Sequence, residues 1–111
     1  MENKKPNKKN DIDLLPLISK MISQGNYIFL THAKKRLKDR NITDLEVLEI
    51  LENNNWNRKR NKSKDTYTPG YQDWNYCIEG NDIDGLKIRV IISFDSNLML
   101  IITVIRISES E

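Results

Sequence analysis

The sequence is poor in the residues that build disulfides, metal centres and phosphate-binding loops. It has one cysteine, Cys77, and one histidine, His32, among 111 residues. A single cysteine cannot form an intramolecular disulfide, and one cysteine with one histidine excludes a Cys/His zinc site. The four glycines form no P-loop, no dinucleotide-binding turn and no Gly-x-Ser-x-Gly motif. Asp82 and Asp84 are too few ligands for an EF-hand loop.

Long apolar runs are also missing. No segment reaches the length of a membrane span, and none has the form of a signal peptide. Charged residues make up 31% of the chain and apolar residues 38%, which is ordinary for one globular domain of this length with its own core. We therefore expect a cytoplasmic protein without a membrane partner.

The net charge of +2 conceals an uneven distribution. Residues 1–64 hold 15 of the 18 Lys and Arg residues against 8 acids, a balance of +7. Residues 65–111 hold 3 against 8, a balance of −5. The split indicates that the N-terminal part meets a polyanion, although a merely soluble basic surface has the same composition. Residues 1–10, rich in Lys and Asn, predict a disordered tail.

A first helix is predicted over residues 13–24. Asp13 is placed to cap it, Pro16 fits its first turn, and Gly25 is placed to end it. Its apolar residues recur at the spacing of one buried helical face, and they are Leu14, Leu17, Ile18, Met21 and Ile22.

A second helix is predicted over residues 32–40, after a short extended segment. Thr31 is placed to cap it, and Asn41 suits the left-handed conformation that closes a helix. Ala33 and Leu37 are expected to point inward. Thr43 and Glu46 then form a capping box for a third helix over residues 44–53, whose inward positions are expected to be Leu45, Leu48 and Leu51.

The second helix carries a stripe of polar residues along the border of its apolar face. His32, Arg36 and Arg40 follow one another at four-residue intervals. One interpretation is a site for phosphate groups with an acid–base residue at its end. The other is a solvated stripe paired with Asp39 and Asp44, and for His32 a local bond to backbone.

Residues 86–107 predict a β-hairpin. Two runs rich in β-branched residues, Leu86–Asp95 and Leu98–Ile107, flank a polar turn. If the turn has two residues, Lys87 lies opposite Arg106 and shares a face with Arg89, whereas a three-residue turn moves Arg106 to the other face. Cations on these strands indicate either a site for an anionic ligand or strand ends whose side chains reach water.

The order of elements, α-β-α-α-β-β-β, predicts an α+β fold. The expected sheet is antiparallel, with three or four strands, and the N-terminal helices pack on one of its faces. Arg58–Lys64 reads as a mobile basic loop, and it stands beside several aromatic residues. Basic residues interleaved with aromatics favour single-stranded nucleic acid, although the alternation of Trp74, Tyr76 and Ile78 assigns part of that content to a strand.

Residues 31–42, THAKKRLKDRNI, resemble the H-A-x-x-R-x-x-x-R-x-I signature of a large bacterial family of unassigned function. The wider pattern from Leu14 to Arg106 resembles the motility quorum-sensing regulator (MqsR) toxins, which are RelE-like ribonucleases of toxin–antitoxin pairs. The resemblance implies that residues 11–111 form one RelE-like toxin domain of a type II system. It implies an mRNA endoribonuclease that needs no metal or other cofactor, that acts on mRNA free or on the ribosome, and that an antitoxin protein neutralises.

The resemblance also implies site residues. Lys62 and Tyr67 repeat a lysine–tyrosine spacing of those toxins, Gln72 repeats an aromatic-Gln-Asp context, and Arg106 matches a basic residue near the end of the last strand. A tyrosine of the toxins is missing beside Gly85, and His32 is expected to take its place. The implied catalytic residues are His32, Arg89, Arg106 and Gln72, and the implied substrate-binding residues are Arg36, Arg40, Lys62, Tyr67 and Lys87. The alternative is a non-catalytic RNA- or protein-binding module of the same fold.

Overall fold

A computed structural model describes residues 5–52, 58–82 and 84–107. Its elements in chain order are α1 (Asp11–Ser23), β1 (Tyr27–Phe29), α2 (Thr31–Arg40), α3 (Asp44–Glu52), β2 (Lys59–Arg60), a 3-10 helix (Lys62–Lys64), β3 (Tyr76–Asn81), β4 (Lys87–Asp95) and β5 (Leu98–Arg106). The strands form one sheet in the order β1-β5-β4-β3-β2. β1 is parallel to β5, and the other neighbours are antiparallel.

The α+β class is confirmed, but the described sheet has five strands and is mixed. The additional strand is β2, which lies inside the segment expected to be a mobile basic loop and pairs with Ile78 and Glu79. β1 and β5 are not joined by a hairpin, since α2, α3 and the strands β2 to β4 lie between them in the chain. No helix in the described part of the chain is long and apolar enough to cross a membrane.

The first helix begins earlier than predicted. Asn10, not Asp13, is the cap, and its side-chain oxygen accepts the Asp13 backbone N–H at 2.9 Å. Pro16 therefore lies inside the helix rather than in its first turn. The end is as expected, because Gly25 has φ 72° and the Asn26 N–H donates to the Met21 carbonyl at 2.8 Å.

Helix α2 has no side-chain cap, so the prediction for Thr31 is wrong. Thr31 is its first residue, and the preceding Leu30 has no side chain that accepts. Asn41 closes the helix in the left-handed conformation, with φ 56°, as predicted.

The capping box of α3 is confirmed. The Thr43 N–H donates to the Glu46 carboxylate at 3.0 Å, and the Glu46 N–H donates to the Thr43 hydroxyl at 3.1 Å. Leu45 does not face the core, because 70% of it is exposed, and the buried positions of α3 are Val47, Ile50 and Leu51. Residue 53, the predicted end of the helix, lies outside the described residues.

One face of the sheet packs against the helices to form the core. α2 lies along β5 and β1, α3 contacts β3, and α1 packs on α3. The buried side chains of the three central strands on this face are Tyr76, Ile78, Ile88, Val90, Ile92, Phe94, Met99, Ile101 and Val104.

A β-bulge divides the β4–β5 hairpin. Near the turn Asp95 pairs with Leu98 and Ile92 pairs with Ile101, so the loop has two residues. Beyond the bulge Ile91 pairs with Thr103, which leaves Ile102 as the extra residue.

The bulge moves Arg106 to the helix-covered face. Arg106 pairs with the buried Ile88, whereas Lys87 and Arg89 alternate onto the other face. The predicted shared face of these three cations is therefore wrong, because an extra residue on one strand reverses the faces of all residues beyond it.

Residues 5–10 do not lie free of the domain. The Lys9 N–H donates to the Tyr76 hydroxyl at 2.9 Å, and the Trp74 indole N–H donates to the Pro6 carbonyl at 2.9 Å. These contacts join the segment to Tyr76 and to the loop before β3. The disordered tail stays a prediction. Residues 1–4 lie outside the described residues.

The position of the hairpin predicts the pattern of amide hydrogen exchange. Backbone amides of Val90–Ile92 and Ile101–Val104 should exchange most slowly, because they lie between neighbouring strands beneath buried side chains. Amides of Lys59–Arg60, in a short edge strand, should exchange faster. Nuclear magnetic resonance (NMR) measurement of exchange tests this, and fast exchange in β4 and β5 would contradict the fold.

Candidate functional site

Helix α2 continues the direction of β1 along β5. The Leu30 N–H donates to the Ile101 carbonyl at 3.0 Å, where β1 ends. From there α2 runs toward the end of β5, so His32 lies near the middle of the strand and Arg40 beside Arg106. The α2 stripe, defined as His32, Arg36 and Arg40, thus follows one border of the domain.

His32 and Arg36 contact each other on this stripe. His32 is exposed, Arg36 is half-buried, and the Arg36 Nε–H donates to His32 Nε2 at 3.4 Å. The contact places a guanidinium group next to the imidazole ring. Among the described residues neither Arg36 nor Arg40 forms an ion pair. The pairing of the stripe with Asp39 and Asp44 is therefore not formed.

Arg106 joins the end of α2 to the connection between β3 and β4. Its Nη1 donates to Asp82 at 2.7 Å, and its Nη2 donates to the Arg40 carbonyl at 3.2 Å. Burial raises the pKa of Asp82, but the hydrogen bonds from Arg106 and from the Leu86 and Asp84 N–H groups outweigh it, so the pKa is lowered overall. The charge of Arg106 is therefore paired with Asp82 where its side chain reaches the α2 stripe. Its hydrogen bond to the Arg40 carbonyl fixes the C-terminal end of α2.

Arg89 and Lys87 lie on the face of the sheet away from the helices. The Arg89 Nε–H donates to Glu79 at 2.9 Å, and Asn61 donates to the same carboxylate oxygen at 2.8 Å. Lys87 is exposed at the start of β4. The sheet separates these two cations from His32, so they cannot contact one phosphate together with it.

Lys62 and Tyr67 belong to a third area, around Trp74. The Lys62 ammonium lies 3.3 Å from Asp11, and the Tyr67 hydroxyl donates to the Tyr71 carbonyl at 3.0 Å. The ammonium groups of Lys5 and Lys8 lie 5.4 Å and 5.3 Å from the centre of the Trp74 ring. The N-terminal segment thus supplies the cations for this aromatic ring.

Arg60 is the residue that sequence reasoning missed. Its side chain is only 6% exposed, and it donates to Asp11, to Asp65 and to the Cys77 carbonyl. The run RKRNKSK contains no signal that separates this arginine from its exposed neighbours, since the acids that pair with it come from the start of α1 and from the loop before β3. Arg60 holds α1, β3 and that loop together.

The pairing around Arg60 accounts for part of the charge asymmetry of the sequence. Asp65 binds Arg60 and Lys8, and Asp73 binds Lys9. Acids of the C-terminal half therefore neutralise cations of the N-terminal half inside the fold. The balance of +7 does not become one continuous basic surface.

Gln72 holds the hairpin turn. Its Oε1 accepts the Ser96 N–H at 2.8 Å, and Ser96 has φ 58°. Gln72 also lines a pocket of about 340 Å³ between this turn and Leu30, the residue that precedes α2. It lies at the end of the hairpin opposite to Arg106, so these two predicted catalytic residues do not meet.

Cys77 offers no alternative chemistry. It is fully buried, and burial raises the pKa of its thiol to about 11. The thiolate is therefore scarce at neutral pH, and Cys77 is not a nucleophile. Within residues 5–52, 58–82 and 84–107 no three His, Cys, Asp or Glu side chains are grouped to hold a metal ion.

The predicted site residues thus fall into four areas rather than one.

One family model, described as a domain of unknown function (DUF4258), matches residues 29–106, which is more than half of the chain. The chain belongs to the DUF4258 family. The DUF4258 match runs from β1 to the end of β5 and includes the α2 stripe and the hairpin, whereas α1 lies before it. No curated protein and no solved structure matched the chain.

The Arg60 pairing predicts an acid-sensitive stability. Burial raises the pKa of Asp65, but hydrogen bonds from Arg60, Lys8 and the Cys77 N–H outweigh it and hold the pKa below the ordinary value of 3.8. Asp65 therefore contributes stability above that value and loses it as the pH falls through its lower folded pKa. Asp65→Asn should cost about 3–5 kcal/mol at pH 7, because it leaves a buried cation poorly paired.

Thermal unfolding between pH 2 and 7 tests this dependence. The wild type should lose stability steeply below about pH 4, and Asp65→Asn should start lower and decline less. Asp84→Asn removes an equal charge from an exposed position and should behave as the wild type. Equal melting temperatures for all three proteins at pH 7 would contradict the structural role of the pair.

Proposed function

We propose that this DUF4258 protein is a RelE-like, metal-independent mRNA endoribonuclease, the toxin of a type II toxin–antitoxin pair that an antitoxin protein neutralises. The observation that carries the proposal is the contact between Arg36 and His32 on a stripe that holds a further cation, Arg40. A base beside unpaired guanidinium groups is the minimum that RNA cleavage by its own 2′-hydroxyl requires.

The chemistry proceeds by attack of the 2′-oxygen on the adjacent phosphorus. His32 accepts the 2′-hydroxyl proton, the new P–O2′ bond forms, and the P–O5′ bond breaks. The departing 5′-oxygen takes a proton from the imidazolium so formed or from water, and a 2′,3′-cyclic phosphate remains. Acid–base assistance contributes about 10²–10⁴-fold.

Arg36 and Arg40 bind the phosphate and stabilise the charge that develops on it. Preorganised charge at the pentavalent phosphate is worth roughly 3–4 kcal/mol for a principal contact. Arg36 leaves His32 Nε2 and binds the phosphate oxygens when RNA arrives, which frees the base at the same time. Arg106 acts by positioning Arg40 through its carbonyl, since Asp82 already pairs its charge.

The remaining candidates take supporting roles. Gln72 keeps the hairpin turn next to the start of α2, and Lys62 with Tyr67 borders the segment around Trp74. Lys87 and Arg89 lie on the face of the sheet away from the helices, where they bind a distant part of the RNA or a protein partner. These assignments extend the proposal and are not needed for the cleavage step.

A non-catalytic RNA- or protein-binding module is the second candidate. It is favoured by the internal ion pairs of Arg89 and Arg106, the two cations among the implied catalytic residues. Binding through the α2 stripe alone requires no base, and it predicts salt-sensitive affinity without turnover.

Cleavage of single-stranded RNA in EDTA separates the two candidates. The wild type should cut and leave 2′,3′-cyclic or 3′-phosphate ends. His32→Ala should lose at least about tenfold in rate, the equivalent of 1.4 kcal/mol, and Arg106→Ala should lose a similar amount through the displaced end of α2. No cutting by the wild type, on naked RNA or with ribosomes, would leave the binding module.

A pair of double variants controls for charge. Arg36→Ala/Arg40→Ala removes two cations of the stripe, and Lys34→Ala/Lys38→Ala removes two exposed cations at the same spacing on the other side of the helix. Only the first should abolish cleavage, with unchanged melting temperature in both. Equal losses would show that α2 contributes charge without a specific site.

The partner is tested by co-expression. An antitoxin that covers the α2 stripe should present acidic or aromatic residues, because complementary charge accelerates association. Expression of the chain alone should arrest growth, and a small protein encoded by the neighbouring gene should restore it and co-purify with the chain. A chain that is harmless at high expression and binds no such protein would contradict the toxin assignment.

A further inference from the structure

The pocket beside the start of α2 has the composition of a site for one nucleobase. Its volume is about 340 Å³, at the lower end of the range of small-ligand sites. Leu30, Phe94 and Leu100 give it an apolar lining, and Gln72 and Asp95 give it polar groups. Asp95 is the one charged residue that lines it.

A turn presents an aromatic ring at the rim of this pocket. Residues 68–71 read Thr-Pro-Gly-Tyr, the Tyr71 N–H donates to the Thr68 carbonyl at 3.1 Å, and Gly70 has φ 93°. These features define a type II turn, in which proline and glycine fix the backbone. Tyr71 is 43% exposed although it lines the pocket, so its ring has a face available for stacking.

A hydrogen bond fixes one polar group of the pocket, the Gln72 amide oxygen. The bond from the Ser96 N–H to Gln72 Oε1 ties the turn that carries Tyr71 to the hairpin turn that carries Asp95. The Gln72 amide nitrogen has no hydrogen bond to another described residue. Asp95 receives a contact of 3.5 Å from the Ser96 hydroxyl on one oxygen, and its other oxygen has no contact among the described residues.

We propose that this pocket binds a guanine base of the RNA next to the cleaved bond, an inference that rests on the proposed function. The Watson–Crick edge of guanine carries two neighbouring donors, N1–H and the N2 amino group, beside the acceptor O6. A carboxylate accepts from both donors at once, and an amide nitrogen donates to O6. Asp95 and the free nitrogen of Gln72 supply this set, and Tyr71 supplies the stacking ring.

The other bases fit the pocket less well. Adenine and cytosine present one amino group beside a ring nitrogen that accepts, which faces the carboxylate as a second acceptor. Uracil presents one N–H between two acceptors. A polar group that the bound base covers and leaves unpaired discriminates between ligands of similar size. Leu30, which lines the pocket, precedes His32 by two residues.

The test uses four RNA strands that differ in one nucleotide. Each strand is 2′-O-methylated except at that position, so cleavage occurs only after G, A, C or U. The wild type should cut the G strand at least about tenfold faster than the others. Asp95→Asn should shift the preference from G toward A, because an amide offers one acceptor and one donor to the adenine edge. Asp39→Asn, which removes an exposed carboxylate on α2, should keep the wild-type preference.

Binding is measured separately from cleavage on the full chain. Titration with GMP, AMP, CMP and UMP, followed by amide NMR, should shift the signals of Tyr71, Gln72 and Ser96 with GMP and much less with the others. Tyr71→Ala should weaken GMP binding at least about tenfold, whereas Tyr71→Phe retains the ring and should bind as the wild type. Dispersed spectra of each variant confirm that it is folded.

The outcomes distinguish this proposal from the proposed function. Equal cleavage of all four strands, with no shift of the pocket amides by GMP, would overturn the pocket and leave the ribonuclease. Selective GMP binding that depends on Asp95, without cleavage of any strand, would support the guanine site and overturn the ribonuclease. Selective GMP binding with equal cleavage of the four strands would assign the pocket to a free guanine nucleotide and overturn its role in RNA recognition.

Discussion

The antiparallel pairing of β4 with β5 constrains the rest of the structure. Each of these strands has a neighbour on its outer side, β3 and β1, and both contribute the buried residues under the helices. The bulge at Ile102 then determines which side chains at the end of the hairpin far from the turn face the helices. It turns Arg106 toward the helices, where it binds Asp82 and the end of α2. Without the extra residue Arg106 would lie beside Arg89, and α2 would lose that anchor.

The anchored helix explains why one border of the domain is a better candidate for RNA chemistry than its other basic regions. Arg60 pairs with Asp11 and Asp65, and Lys8 also pairs with Asp65. Lys9 pairs with Asp73, and Arg89 pairs with Glu79. Those pairs stabilise the fold and lower the field that a polyanion would meet. Arg36 and Arg40 carry no such partner among the described residues, and the first turn of α2 has no acid. The α2 stripe therefore offers positive charge, a titratable base and access from solvent in one place.

Local signals allowed the helices and the hairpin to be predicted from the sequence, and non-local contacts account for what was missed. The capping box of α3 and the left-handed Asn41 depend on residues a few positions apart, so a pattern reveals them, whereas the length of the hairpin turn was left open between two and three residues. The bulge at Ile102 alters neither the amino-acid composition of the strand nor the length of the turn, so no local pattern marks it. It moves Arg106 to the face opposite to the predicted one. β2 and the docked residues 5–10 form because Arg60 and Lys9 meet acids far along the chain. Pairings at that separation leave no periodic signal, so the site was predicted as one cluster although only the α2 stripe lies together.

The central claim is that RNA is bound along α2 and the adjoining hairpin turn, and a footprint with an uncleavable ligand tests it most directly. A fully 2′-O-methylated single strand lacks the attacking hydroxyl and therefore reports binding alone. We predict that it perturbs and protects backbone amides of Thr31–Arg40 together with those of Tyr71 and Ser96, with an affinity that falls as salt rises. Perturbation confined to Lys59–Lys64 and Trp74, or to the sheet face of Arg89, would contradict the account.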